Sequence, residues 1–356
     1  MDRLPVPGNS IEDYFEFAEW ELRLDRTMDR IEDRLFDYPR IALDWSQRLD
    51  PLFARRPESV TATHRIRAAA LRATASSLCG ALETSCADMT TIVGRARELG
   101  NDLPEDIGGW IHAKYAVMLI KLGHIDVAHE VIAAGLDSLT SKSEPVKAVT
   151  AQLYLARGRI HRHERDWQRA FDWCKKAYDL ATHRRSREGG YYRRGDVTRA
   201  AAVLNLVQLA QLLSGDPQHC LRMLTEQCKF RVYRSIRSNW GFAPYHEIAT
   251  THIFGRLQAK AGNVRAAIDN LEFSARAYLR SSCPLEALET SIDLAALAPE
   301  HPSITRVIET IFRQSMLSPR LAEYVATRKR NQIAEDSELL ALIAEERRRR
   351  HLPQAA

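Results

Sequence analysis

The sequence predicts an all-α chain: an α-solenoid of antiparallel helix pairs with extra helices at its N- and C-terminal ends. Three observations carry that expectation. Apolar residues recur at three- and four-residue spacing almost throughout, whereas the alternating β-branched runs that strands need are scarce. Small or polar turns and prolines divide the chain into helix-sized segments. One turn pattern recurs four times between residues 106 and 281, and self-similarity along a chain is the mark of stacked units.

The elements follow in order. A first helix is expected from Ser10, where a hydroxyl cap precedes acids in the first turn, Glu12 and Asp13. Tyr14, Phe15, Ala18, Leu22 and Met28 would supply its apolar stripe, and it would run to about Phe36. Pro39, Pro51 and Pro57 limit the helices that come next. Helices are then expected over about Ala62 to Leu78 and about Glu83 to Leu99, with Gly100, Asn101 and Pro104 marking a break.

The repeated turn begins at Gly123, Arg165, Gly215 and Gly262. Two positions on stands a bulky residue (Ile125, Trp167, Pro217, Val264), expected to plug the junction. Three after that stands a small one (Ala128, Ala170, Cys220, Ala267), then Ile132, Cys174, Leu224 and Leu271 four further on. The small residue lets the second helix approach the first, as ridge-into-groove packing requires. The first helix needs a matching small residue seven positions before the turn. It has Ala116, Gly158 and Gly255 in three copies, while the third copy has Gln208.

This layout resembles the tetratricopeptide-repeat (TPR) superfamily, with extended, degenerate repeats, over roughly half the chain. The second and fourth copies carry the resemblance best, through Tyr154, Gly158, Trp167, Ala170 and Ala177, then Phe254, Gly255, Gly262 and Ala267. The family's proline after the second helix is missing. Successive turns stand 42, 50 and 47 residues apart, against a consensus period of about 34. Longer helices or inserted loops would account for the difference, as in the TPR-like sensor domains of some bacterial regulators.

The resemblance implies a concave face lined by the first helix of each unit. Its groove positions fall on Lys121, Arg159, Arg162, Asn205, His252, Arg256 and Lys260, with Leu209 and Leu212 on the same face. That set is basic, so it implies an acidic segment or the C-terminus of another polypeptide as guest. A second contact site is expected in the first of two basic inserts. Arg184, Arg185, Arg187, Arg193 and Arg194 suit carboxylates or phosphates, Tyr191 and Tyr192 suit stacking or a partner's pocket, and Gly189 and Gly190 loosen the loop. The second insert carries Arg231, Tyr233, Arg234, Arg237 and Trp240.

The sequence thus divides into an acidic N-terminal helical segment (1–58) and a helical pair that reads as a further degenerate repeat (59–105). The repeats follow (106–281), with inserts near 183–198 and 229–243, and then C-terminal helices with a basic tail (282–356). Net charge is +5 overall, yet residues 1–50 hold thirteen acids against seven bases. The remainder therefore carries +11, which points to an intramolecular contact or an anionic partner. In the first case the acidic helix docks on the basic body, as a cap or inside the groove.

A content of 45% hydrophobic and 27% charged residues is that of a folded soluble protein. Apolar runs of about 18 residues are lacking, and Met1 to Ser10 does not have the layout of a signal peptide, so a cytoplasmic address is expected. The six cysteines form no C-x-x-C pair and read as reduced, packed thiols. Phosphate-loop, dinucleotide, zinc-protease and serine-hydrolase motifs are missing. No cofactor, metal or catalytic residue is expected. The sequence favours a non-enzymatic protein-interaction scaffold or regulatory subunit; a nucleic-acid binder using the basic aromatic inserts, or an accessory subunit of an enzyme complex, remains open.

Overall fold

The computed structural model describes residues 20–36, 38–55, 57–181, 191–227 and 245–313, and among these it contains fifteen α-helices and no strand. They are α1 (Trp20–Arg34), α2 (Pro39–Gln47), α3 (Leu49–Arg55), α4 (Ala62–Leu78), α5 (Leu82–Leu99), α6 (Glu105–Leu122), α7 (Ile125–Asp137), α8 (Glu144–His163) and α9 (Trp167–Leu180). They continue as α10 (Tyr191–Ser214), α11 (Pro217–Gln227), α12 (Tyr245–Lys260), α13 (Val264–Arg280), α14 (Pro284–Ala295) and α15 (Pro302–Arg313). Consecutive helices pack as pairs: α4 with α5, α6 with α7, α8 with α9, α10 with α11, α12 with α13.

The turns between these pairs share one geometry. Gly80, Gly123, Arg165, Gly215 and Gly262 all have positive φ, from 63° at Arg165 to 104° at Gly80. At four of them the next amide bonds back to the carbonyl five residues earlier: Ala81 to Ser76, His124 to Leu119, Asp166 to His161 and Asn263 to Gln258, at 2.9–3.0 Å. That closure satisfies the last carbonyls of the first helix. The turn at Gly80 lies outside the four copies found in the sequence. A sixth instance, at Ser282 with Cys283 bonded to Tyr278, joins α13 to α14 beyond the point where the sequence pattern fades.

The small residues behave as the pattern requires. Ala128, Ala170, Cys220 and Ala267 are all fully buried, as are Ile132, Cys174 and Leu271. A Cβ on Gly158 would stand 2.7 Å from Cys174 Sγ and 3.1 Å from the Ala170 carbonyl, so α8 and α9 touch backbone to backbone there. Gly255 meets Leu271 of α13 in the equivalent place, at 3.0 Å. The plug residue is less regular than expected. Val264, the first residue of α13, is 46% exposed.

The described part of the N-terminal acidic segment packs against α4, and Phe36, just beyond α1, meets Tyr245 of α12. Leu24, Met28, Ile31 and Leu35 are fully buried; Met28 belongs to the expected stripe, whose other side chains lie outside the described residues. Beside it, Arg67 of α4 is gripped by Asp25, Asp29 and Glu32 of α1, and its side chain is 5% exposed. Residues 1–19, where the expected helix start lies, fall outside the described residues, as does the expected basic tail.

The main core joins the early helices to the late ones. One continuous cluster runs from Leu24 of α1 to Ile160 of α8 and resumes from Ile248 of α12 to Ile311 of α15. Helices α9, α10 and α11 pack through two separate clusters. The stack therefore curls far enough to bring α14 against the first units. In α14 every residue but Glu289 is buried.

Candidate functional site on the inner helical face

The curl brings the first helices of the units onto one inner face. Helices α6, α8, α10 and α12 pack side by side in that order, and α12 meets α14 through side chains. At the end of α6, Lys121 donates to Glu286 Oε1 of α14 at 2.8 Å, across 165 residues of sequence. The Tyr245 hydroxyl of α12 donates to the same oxygen at 3.2 Å, while Glu286 Oε2 is buried with no hydrogen-bond partner among the described residues. Burial alone would pull the Lys121 ammonium down, but Glu286 outweighs it and holds the group above its ordinary value. Burial first, and Glu286 second, push the Tyr245 phenol well up.

The next layer contains cations that lack such a carboxylate. Arg162 of α8 reaches α10, where its Nη1 donates to Gln208 Oε1 at 2.8 Å and Asn205 Oδ1 at 3.3 Å. Lys260 at the end of α12 donates to Gln211 Oε1 of the same helix α10 at 2.7 Å. Arg159, one turn before Arg162, makes no hydrogen bond or ion pair among the described residues. Burial pushes the Arg162 guanidinium down to about 10, and its neighbours Arg159 and Arg256 add to the shift. Burial and then Arg256 lower Lys260 in the same way.

The third layer is a buried line of Asp293, His252 and Thr290. His252 Nε2 lies 2.6 Å from Asp293 Oδ2, and Nδ1 lies 3.3 Å from Thr290 Oγ1. Arg256 Nε stands 3.5 Å from the same carboxylate oxygen. The residue types are those of a hydrolytic triad, but the hydroxyl is wrongly placed for attack. Thr290 is fully buried, and its hydroxyl donates to the Glu286 carbonyl at 2.8 Å. A nucleophile must reach substrate and hold the base's hydrogen bond; here the line ties α12 to α14.

The structure thus gathers Lys121, Arg159, Arg162, Asn205, His252, Arg256 and Lys260 on neighbouring helices. Of the two apolar residues expected beside them, Leu209 is instead fully buried against α8 and α9, while Leu212, four residues after Gln208 on α10, is exposed. Arg184, Arg185 and Arg187 lie outside the described residues, as does the second insert. Tyr191, Tyr192, Arg193 and Arg194 form the first turn of α10, so this part of the first insert is helix and not loop. Sequence reasoning missed Glu286, Glu289 and Asp293. Their i, i+3, i+7 spacing puts three carboxylates on one side of a helix, a signal hidden by the otherwise apolar run from Pro284 to Ala295. It also treated Gln208 as a lapse in the repeat, whereas Gln208 holds Arg162.

All five described cysteines are free. Burial pushes Cys79 and Cys174 up to about 11, which leaves them protonated and unreactive. Among the described residues no group of His, Cys, Asp and Glu is arranged to hold a metal, and no helix is long and apolar enough to cross a membrane.

No protein-family model matches the sequence, and neither does any characterised protein. Among solved structures, the apo form of RapI is similar over 92% of this chain and 98% of its own, at 10% identity and a TM-score of 0.46. A signal-transduction ATPase with numerous domains and a tetratricopeptide repeat sensor, from Pyrococcus horikoshii, is similar over 96% of this chain at 11% identity and a TM-score of 0.45. That similarity takes in 54% of the ATPase.

Proposed function

We propose that this protein is a non-enzymatic scaffold or regulatory subunit that binds a partner protein or peptide on its inner helical face. The observation that carries the reading is the convergence of charged and amide side chains from α6, α8, α10, α12 and α14 on one face. Their geometry is that of ion pairing and hydrogen bonding. A stack of units offers a long curved surface on which such groups can meet an extended guest. The cations Lys121, Arg159, Arg162, Arg256 and Lys260 outnumber the carboxylates Glu286, Glu289 and Asp293, so the guest is acidic. The segment with Arg184, Arg185, Arg187, Tyr191, Tyr192, Arg193 and Arg194 leads into α10, the helix that supplies the amides, and forms the second part of the contact. Free, buried thiols suit a reducing compartment, which is why we place the protein in the cytoplasm.

The test is capture of a partner from a cell extract by the wild-type protein and by Arg159→Glu and Arg162→Glu, followed by identification of the captured molecule. A protein or peptide retained by wild type and lost by both variants supports the reading. Retention of RNA or DNA of random sequence, with affinity falling steeply as salt rises, points to nucleic acid instead.

A further inference from the structure

We infer that the inner face holds a built subsite for an oxyanion, formed by Arg159 and Arg162 of α8 with Arg256 and Lys260 of α12, over an amide floor of Asn205, Gln208 and Gln211 from α10. The inference deepens the partner-binding reading above and rests on it. The cations of this face hold unlike partners. Lys121 has a carboxylate, Glu286, at 2.8 Å. Arg256 has Asp293 at 3.5 Å, an oxygen it shares with His252. Arg162 and Lys260 hold only neutral amide oxygens, and Arg159 holds none among the described residues.

An amide oxygen satisfies a donor without neutralising its charge. The helix facing both cations offers three amides, at 205, 208 and 211, where carboxylates would have closed the site internally. Among the described residues, five cations against three carboxylates leave a surplus of two positive charges on the face, counting His252 as neutral. Like charges brought together on a part-buried face raise each other's energy: burial first, and then Arg159 and Arg256, lower the Arg162 guanidinium, while the exposed Lys260 feels Arg256 at the rim. Planar guanidinium forks fit carboxylate and phosphate oxygens alike. One doubly charged group, or two neighbouring carboxylates, would balance the face.

The probes are inorganic phosphate and glutarate, each titrated into the full-length protein at ionic strength held constant with sodium chloride, with the thermal midpoint as readout. A rise in midpoint with glutarate marks a carboxylate guest, and a rise with phosphate alone marks a phosphorylated one. Arg159→Gln and Arg162→Gln should each weaken the apparent anion affinity by about tenfold. In the absence of added anion, Arg162→Gln should melt at or above wild type, because it removes a repelled cation and leaves Gln208 able to bond elsewhere. Failure of both anions to raise the midpoint, or equal rises in wild type and both variants, overturns the subsite. So does Arg162→Gln melting well below wild type while the surface variant Arg276→Gln does not, since that marks a structural cation. If a partner is captured on the inner face although neither anion binds, the subsite falls and the proposed function stands.

Discussion

Gly158→Ala adds one methyl group where two helices touch. The new Cβ would lie 2.7 Å from Cys174 Sγ, 3.1 Å from the Ala170 carbonyl oxygen and 3.4 Å from the Cys174 amide nitrogen. The sulfur can rotate away, but the two backbone atoms belong to α9 and yield only if that helix shifts. Overpacking of this kind costs about 1–3 kcal/mol. It is opposed by the gain of about 1 kcal/mol when alanine replaces glycine inside a helix. Gly94→Ala in α5 isolates the clash, because a Cβ there meets nothing within 4 Å and takes the helix gain alone. Gly255→Ala falls between the two, since its Cβ meets the Leu271 side chain at 3.0 Å, and a leucine can yield. The stability order expected in guanidinium titration is Gly94→Ala, then Gly255→Ala, then Gly158→Ala. The two extremes should differ by about 1–3 kcal/mol. If Gly158→Ala matches or exceeds Gly94→Ala, α8 and α9 are not in backbone contact and the repeat register is wrong.

Other perturbations test other parts of the account. Arg165 holds the left-handed turn with φ of 63°, a conformation costing about 1–2 kcal/mol in a residue with a side chain, so Arg165→Gly should raise the thermal midpoint. Arg67→Met leaves Asp25, Asp29 and Glu32 without their shared cation; a loss on the order of 3 kcal/mol is expected, with protease sensitivity appearing first at α1. His64 holds Asp25 below the usual carboxylate range, and Ser303 does the same for Glu272. Depressed carboxylates bind fewer protons folded than unfolded, so their stabilisation is full above about pH 4.5 and lost as pH falls through their folded values. Burial depresses His112 as well, which adds a loss of stability below about pH 6.5; His112→Gln should flatten the midpoint-versus-pH slope between about pH 7 and 5.5. Cys79 and Cys174 should react with a thiol reagent only after denaturant is added.

Much of the fold was legible because repeats repeat their constraints. A turn needing positive φ takes glycine in most copies, and a close helix contact takes alanine, glycine or cysteine. Gly123, Ala128, Gly158 and Ala170 therefore reveal register without any knowledge of the rest. The same logic hid the turns at Gly80 and Ser282, since their flanking helices do not carry the full spacing. The candidate site was half legible. Its cations follow from position on the first helices, but their partners are set by how far the stack curls. Lys121 meets Glu286 across 165 residues, and nothing local in either helix announces that distance. Leu209 was misplaced for a related reason. One helical residue is about 100° of rotation, enough to turn Gln208 toward Arg162 and Leu209 into the core between α8 and α9.

The central claim is that a guest binds on the inner face, with the desolvated arginines contributing more than cations at its rim. The direct test is the dissociation constant of the captured partner, measured by titration calorimetry, for wild type, Arg162→Glu and Arg184→Glu, with circular dichroism establishing that each variant is folded. Removal of a desolvated charge acts on residence time and affinity, whereas a rim charge acts mainly on the association rate. The account predicts that Arg162→Glu weakens binding at least tenfold, about 1.4 kcal/mol, and more than Arg184→Glu does. Wild-type affinity in a folded Arg162→Glu variant would contradict it and move the search to the outer helices.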